Sequence, residues 1–215
     1  MYNRQRKLFN PEESILLRKR IFLFGLGGLG SWAWEGLQKL GFREQLTGID
    51  PDIIEKVNVP LQVYKEEEEG AYKASKVTRN EGNSTIVGTD ECLPTFPASA
   101  VIVLATDNIV SRRRIYEKAP LSAVIVDGRM AGQYYEVWIC RKWKSKDVKR
   151  YEESFFDPSE ATAMPCGEQG IVYCFMSAAA EMVADVKRIF NKEWSVMNHF
   201  LSLDMLTGER ITYPL

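Results

Sequence analysis

Apolar residues in the first half of the chain come in short unbroken runs separated by polar, helix-forming stretches. Arg20-Ile21-Phe22-Leu23-Phe24 is one such run, closed by glycines, and its continuity predicts a strand buried on both faces. Residues 31–40 predict a helix that stops at Gly41, and residues 45–50 a second strand. Residues 53–70 read as irregular, ending in an acidic run at 66–69 that reads as a solvated loop. A basic helix is expected over 71–80, a strand over 84–88, a strand over 100–105, a helix over 110–118 and another buried strand over 123–127. Ahead of all of these, Pro11 opens a predicted helix over 12–18.

Strand and helix alternating in this way predict an α/β fold with a mainly parallel sheet flanked by helices, Rossmann-like in layout. After Gly132 the pattern changes. Tyr134-Tyr135-Glu136-Val137-Trp138-Ile139-Cys140 alternates and predicts a strand with one wet face, so antiparallel strands are expected toward the C-terminus. Residues 141–165 read as a polar connection. Residues 170–190 predict a long apolar helix whose small residues Ser177, Ala178, Ala179 and Ala180 allow close packing, and the tail from Phe200 predicts a hairpin turning at Thr207-Gly208. No repeat or low-complexity linker interrupts this, so residues 1–215 are expected to form a single domain.

Composition narrows the functions open to such a chain. With 28 Lys plus Arg against 29 Asp plus Glu, the net charge of -1 gives no global attraction to nucleic acid or to an anionic membrane. Arg112, Arg113 and Arg114 form only a local basic patch, read as helix surface with one arginine turned toward a site. The apolar run at 21–26 is far short of the roughly 20 residues a membrane span needs, and it is too short and too late for a secretory signal. A cytoplasmic protein is therefore expected. Four cysteines (Cys92, Cys140, Cys166 and Cys174) contain no C-x-x-C pair, which argues against a disulfide framework and a zinc site of the usual spacing. A single histidine, His199, excludes chemistry that needs several imidazoles.

Candidate chemistry begins at Gly25-Leu26-Gly27-Gly28-Leu29-Gly30-Ser31, a G-x-G-x-x-G pattern between a predicted strand and a predicted helix. Glycines let the backbone turn sharply and approach a phosphate, and the helix N-terminus supplies free N–H groups and the positive end of a dipole. Asp50 follows Gly30 by twenty residues, where an acid can accept hydrogen bonds from ribose hydroxyls. The loop alone leaves NAD, FAD and ATP-type ligands open.

Further residues fall into a recognisable order. Gly25 to Gly30, then Asp50-Pro51-Asp52, then Asn58 and Gln62, resemble the nucleotide site of the ThiF/MoeB/HesA family of adenylyltransferases, related to ubiquitin-activating enzymes. Tyr2-Asn3-Arg4-Gln5 resembles the family's N-terminal Y-x-R-Q segment, Lys73 a lysine at a helix start, and Thr106-Asp107-Asn108 its T-D-N motif. Cys166-Gly167-Glu168-Gln169-Gly170-Ile171-Val172 resembles the C-x-x-x-G-[VI] segment before the last long helix.

The resemblance implies that the chain uses ATP and Mg²⁺ to adenylate the C-terminal glycine carboxylate of a small ubiquitin-like or sulfur-carrier protein, releasing pyrophosphate. It places Asp50 or Asp52 on ribose, Asn58, Gln62 and Lys73 on phosphates, and Asp107 on Mg²⁺. It makes Arg4 an arginine finger supplied by the other subunit of a homodimer, and Cys166 a nucleophile that takes the activated carboxyl. Arginine suits the finger because its planar fork binds two phosphate oxygens and stays charged. Simpler readings stand beside these: Asp107 as a helix cap, Lys76 in place of Lys73, Arg4 as a solvated charge, Cys166 as a small loop residue and Cys174 as core.

Two departures from the family pattern matter. In N-x-x-R-Q the arginine is replaced, because Asn58-Val59-Pro60-Leu61-Gln62 puts Leu61 there. A lost charged contact to a transition state costs on the order of 3 kcal/mol unless another cation, such as Arg4, Lys65 or Arg112, substitutes. The family's paired zinc cysteines are also missing, so residues 141–165 are expected to do without metal. Leu61 motivates an alternative, a weak or inactive subunit that acts as a binding partner. The glycine loop with Asp50 leaves a less favoured one, a nicotinamide-dependent oxidoreductase.

Overall fold

Strand β1 (Ile21–Phe24) is buried along its whole length, with parallel neighbours on both sides. That explains its unbroken apolar run: side chains alternate between two faces, and both faces are covered. Ile21 and Leu23 enter one core cluster, Phe22 and Phe24 the other. The structure is a computed structural model describing residues 19–77, 84–86, 88, 93–155 and 170–215. The helix expected over 12–18, Arg4 with its Y-x-R-Q segment, Cys92 and Cys166 lie outside the described residues.

After β1 come α1 (Gly28–Leu40), β2 (Leu46–Ile49), two short 3-10 turns at Lys56–Leu61 and Glu66–Glu68, α2 (Lys73–Val77) and β3 (Ser84–Ile86). They are followed by β4 (Val101–Leu104), α3 (Ile109–Lys118), β5 (Val124–Ala131), β6 (Tyr134–Arg141) and α4 (Ser145–Glu153). Helix α5 (Val172–Phe190), a third 3-10 turn at Trp194–Val196 and strands β7 (Asn198–Asp204) and β8 (Arg210–Pro214) complete the described elements. All eight strands form one sheet in the order β3-β2-β1-β4-β5-β6-β7-β8. Strands β1 to β5 pair in parallel, and β5 to β8 are antiparallel. This is the expected Rossmann-like layout, with antiparallel strands at the C-terminal side.

Helices α1 and α5 cover one face of the sheet and α3 and α4 the other. Close packing of α1 on α5 depends on small residues: Ala178 and Ala179 are buried, and a Cβ on Gly36 would stand 2.9 Å from a Val183 methyl. Helix α1 ends as its glycine predicts, with Gly41 left-handed at φ 102°. Trp34 of α1 is fully buried, and its indole N–H donates to the Val77 carbonyl at 3.0 Å, tying α1 to α2.

Part of the expected polar connection at 141–165 is helical. Helix α4 has no apolar stripe to announce it; its buried residues are Asp147 and Tyr151. Arg141 Nε donates to Asp147 Oδ2 at 2.6 Å, which fixes the start of the helix against the end of β6. No described helix is long and apolar enough to cross a membrane.

Candidate nucleotide-binding site

Strands β1 and β4 lie side by side, and their connections run to opposite sides of the sheet. Between their C-terminal ends is the crevice where open parallel sheets bind ligands. The glycine loop fills one wall of it. Three of its glycines answer to the protein itself. A Cβ on Gly30 would lie 1.8 Å from the Gly25 carbonyl, and one on Gly25, where φ is +85°, would lie 2.6 Å from the Ala105 carbonyl. A Cβ on Gly28 would lie 2.7 Å from the Phe175 ring. Gly27 differs, since a Cβ there would meet nothing closer than Gln62 Nε2 at 4.0 Å. Gly27 also stands at the N-cap of α1, with no acid in the first helical turn. The first-turn amides lack intrahelical acceptors by geometry, so this end of α1 suits an anion.

The two acids after β2 separate into different positions. Asp50 is buried; its Oδ2 accepts from the Leu26 amide at 2.5 Å and its Oδ1 from the Asp52 amide at 2.8 Å. It therefore braces the glycine loop. Burial pushes its carboxyl above the usual aspartate range, opposed by the Leu26 amide. Asp52 is exposed and faces Lys73. Lys73 is buried, and its Nζ donates to Asp52 Oδ2 at 2.8 Å, whereas Lys76 on the same short helix is exposed.

Residues 53–64 strap across the start of α1. Tyr64 donates its hydroxyl to the Leu26 carbonyl at 2.8 Å, and the Trp32 indole donates to the Leu61 carbonyl at 3.1 Å. These bonds hold Gln62 beside Gly27. Gln62 Oε1 is buried with no hydrogen-bond partner among the described residues, a costly state for an amide oxygen. Asn58 is half-buried, with its Nδ2 on Glu55 at 3.1 Å.

The third wall is the loop 106–108 after β4. Asn108 is the helix cap, accepting from Val110 N at 2.8 Å and Ser111 N at 3.4 Å. Asp107 does not have that job, and its residue is exposed. Thr106 Oγ1 is a second buried oxygen without a partner among the described residues.

Of the basic patch, Arg113 lies on the helix surface and Arg112 is the arginine turned inward, behind the site rather than into it. Arg112 is buried, and its guanidinium pairs with Asp127 and donates to the Thr106 carbonyl. Burial and neighbouring Arg129 pull it down to about 10. It cannot reach out to replace an arginine at Leu61. Lys65 is exposed and faces Glu67 at 3.6 Å. Cys174 is buried core, its thiol pushed up to about 11 by burial. Sequence reasoning missed Asp127, Arg129 and Tyr151, which stand behind the site. A carboxylate closing the otherwise apolar run before Gly128 was the available signal for Asp127.

Residues and ligand class fit in three respects. Gly27 leaves its face of the loop open, Gln62 Oε1 beside it and Thr106 Oγ1 near Gly25 have no hydrogen-bond partner among the described residues, and the first-turn amides of α1 suit an anionic group. Among the described residues no cluster of three or more His, Cys, Asp or Glu could hold a metal ion alone. One exposed carboxylate, Asp107, suits Mg²⁺, which commonly binds through one or two carboxylates and substrate phosphates.

Among solved structures, the chain is similar to E. coli MccB with a TM-score of 0.68 at 16% identity, over 98% of this chain and 63% of that one. It is similar to E. coli MccB with AMPCPP and MccA (TM-score 0.66, 17% identity, 94% of this chain and 65% of that one). It is also similar to PaaA (TM-score 0.66, 15% identity, 93% and 65%). The likeness shows a shared fold, and this chain spans just under two thirds of the length of those chains. No curated protein sequence matches it. A family sequence model, described as the ThiF family, matches residues 2–214.

Proposed function

This chain belongs to the ThiF family, and on that premise we propose that it is an ATP-dependent adenylyltransferase for the C-terminal glycine carboxylate of a small ubiquitin-like or sulfur-carrier protein. The observation that carries the reading is the pair of buried oxygens without a partner among the described residues, Gln62 Oε1 and Thr106 Oγ1, flanking a glycine loop whose open face is Gly27. E. coli MccB, similar in fold, is known in structures with ATP and with AMPCPP and MccA.

In the proposed reaction a carboxylate oxygen of the partner attacks the α-phosphorus of ATP. The bond from that phosphorus to the bridging oxygen breaks, and pyrophosphate leaves with the electron pair. Asp107 would hold Mg²⁺, which would supply positive charge to offset the two anions brought together. Lys73, oriented by Asp52, meets the phosphates with Gln62 and Asn58, and the α1 amides hold them. Asp52 faces ribose, and Asp50 keeps the loop in shape. Arg4 acts from the second copy of a homodimer, and the Cys166 thiolate attacks the acyl-adenylate carbonyl, forming a thioester as the acyl–phosphate bond breaks and AMP leaves.

Pyrophosphate exchange with ATP, Mg²⁺ and a panel of carrier proteins tests this. Exchange is expected with one carrier and lost in Asp107→Ala. No exchange with any carrier, in folded protein that binds Mg·ATP, would sink it. Leu61, and the pairing of Lys73 with Asp52, favour a second reading as a non-catalytic binding subunit. Tight Mg·ATP binding by the isolated chain in calorimetry counts against that one.

A further inference from the structure

Behind the loop 106–108 lies a cluster of buried charge with no place in the reaction above. Asp127 stands level with Leu104 in the pairing of β4 and β5, so its carboxylate lies where that loop begins. Asp127 Oδ1 pairs with Arg112 Nη1, and Arg112 Nη2 donates to the Thr106 carbonyl. Asp127 Oδ2 accepts from Arg129 Nε and from the Tyr151 hydroxyl, each at 2.9 Å. Arg129 continues to the C-terminal end of α4, donating to the Ser154 carbonyl at 2.9 Å and to its hydroxyl at 3.0 Å. Its guanidinium packs among the rings of Trp138, Tyr151 and Phe155, at 5.5, 5.7 and 5.6 Å from their centroids.

Two guanidiniums share the one carboxylate of Asp127, with Glu136, opposite Arg129 on β6, and Asp107 adding negative charge nearby. Such a cluster is a poor device for stability, since well-packed apolar residues do as well or better. What it supplies is position. The Thr106 carbonyl is gripped by a side chain whose other prong is locked to Asp127. At the far end Asn108 is fixed as the cap of α3. Asp107 is thus presented between two pinned residues. The glycine loop shares the constraint, because Gly25 lies directly against the Ala105 carbonyl.

We propose that Arg112, Asp127, Arg129 and Tyr151 are positioning residues that hold the loop 106–108 in one conformation, so that Asp107 meets the metal–nucleotide, and that tie this loop to α4. The proposal rests on the glycine loop binding a nucleotide. Tyr151→Phe removes a single donor and keeps the ring. Arg112→Lys keeps the charge but cannot span Asp127 and Thr106 together. Two measurements on the full-length protein decide: amide hydrogen exchange over 105–111 without ligand, and ATP affinity by calorimetry in Mg²⁺ and in EDTA.

Both variants are expected to melt somewhat below the wild type and, well below either melt, to exchange this segment about fivefold faster or more while segments away from it change less. Mg·ATP affinity falls about tenfold, while affinity in EDTA stays within about twofold. A lower melting point with loop exchange and Mg·ATP affinity unchanged marks the cluster as structural only and overturns the proposal. Full recovery of wild-type behaviour in Arg112→Lys overturns it too, by showing that charge alone suffices. If the wild type binds no ATP in either condition, the nucleotide reading fails, while the exchange measurement still decides whether the network holds the loop.

Discussion

Lys73 and Asp52 are joined twice: the Lys73 amide donates to the Asp52 carbonyl at 2.9 Å, and Lys73 Nζ donates to Asp52 Oδ2 at 2.8 Å. The lysine side chain is 8% exposed and the aspartate's 62%. The pair therefore holds a buried cation at a fixed point, with its carboxylate facing water. Lys73→Ala should weaken Mg·ATP binding by about ten- to a hundredfold, the usual loss for a charged contact at a phosphate. Asp52→Asn should weaken it less, because the ammonium stays in place. Calorimetry on both variants checks this, and equal losses would mean that the lysine acts only through its partner.

Gly27 and Gly30 should separate binding from folding. Gly30→Ala forces a Cβ to 1.8 Å from the Gly25 carbonyl, so it should fail to fold or lose several kcal/mol, about 3 or more. Gly27→Ala has space, and its melting point should stay within a few degrees of wild type while ATP binding is lost. Unchanged ATP affinity in Gly27→Ala would show that the open face of the loop is not the phosphate side.

Leu61 is half-buried, with its carbonyl held by Trp32. Leu61→Arg restores a cation to the strap and should tighten Mg·ATP binding about tenfold, with stability changed by under about 1 kcal/mol. No gain in affinity, in protein that melts normally, would show that the strap's side chain at 61 does not reach the phosphates.

Asp185 is buried on α5, and burial pushes its carboxyl up to about 6 although Arg188 Nη1 lies 2.7 Å away. A carboxyl raised above its unfolded value adds stability that is fully present below the unfolded pKa, near 4, and is lost as pH rises through about 6. The loss is of the order of 2–3 kcal/mol. Asp185→Asn should therefore melt higher than wild type above about pH 7 and converge with it near pH 4. Thermal melts across that range test the sign; a wild type that gains from higher pH relative to the variant would reverse it.

Much of the fold was legible because its signals are local. The run of β1, the glycine turn and the stop of α1 at Gly41 each follow from a few adjacent residues. Helix α4 was not legible: Ser145–Glu153 is nearly all polar, held by the nearby Asp147–Arg141 pair and by the bond of Tyr151 to Asp127, 24 residues away. Arg112 is one of three adjacent arginines, and only the arrival of Asp127 from β5 selects it for burial. At the site, the residue types were legible and their division of labour was not. Asp50 and Asp52 lie two residues apart, yet one braces the loop from beneath and the other faces water, because Asp50 is anchored by the Leu26 amide. Asn108 rather than Asp107 caps α3, a choice that adjacent N-cap residue types leave undecided.

Phe175 reaches two glycines far apart in the chain. Its ring would meet a Cβ on Gly28 at 2.7 Å and one on Gly170 at 2.8 Å. Positions 28 and 175 are thus one unit of inheritance. A lineage that shrinks the ring gives Gly28 room for a Cβ, whereas Gly170, at φ +159°, stays strained for any side chain. Related sequences should therefore show positions 28 and 175 changing together while 170 stays glycine, so that Gly28 of the nucleotide loop records the history of α5 as much as that of its ligand.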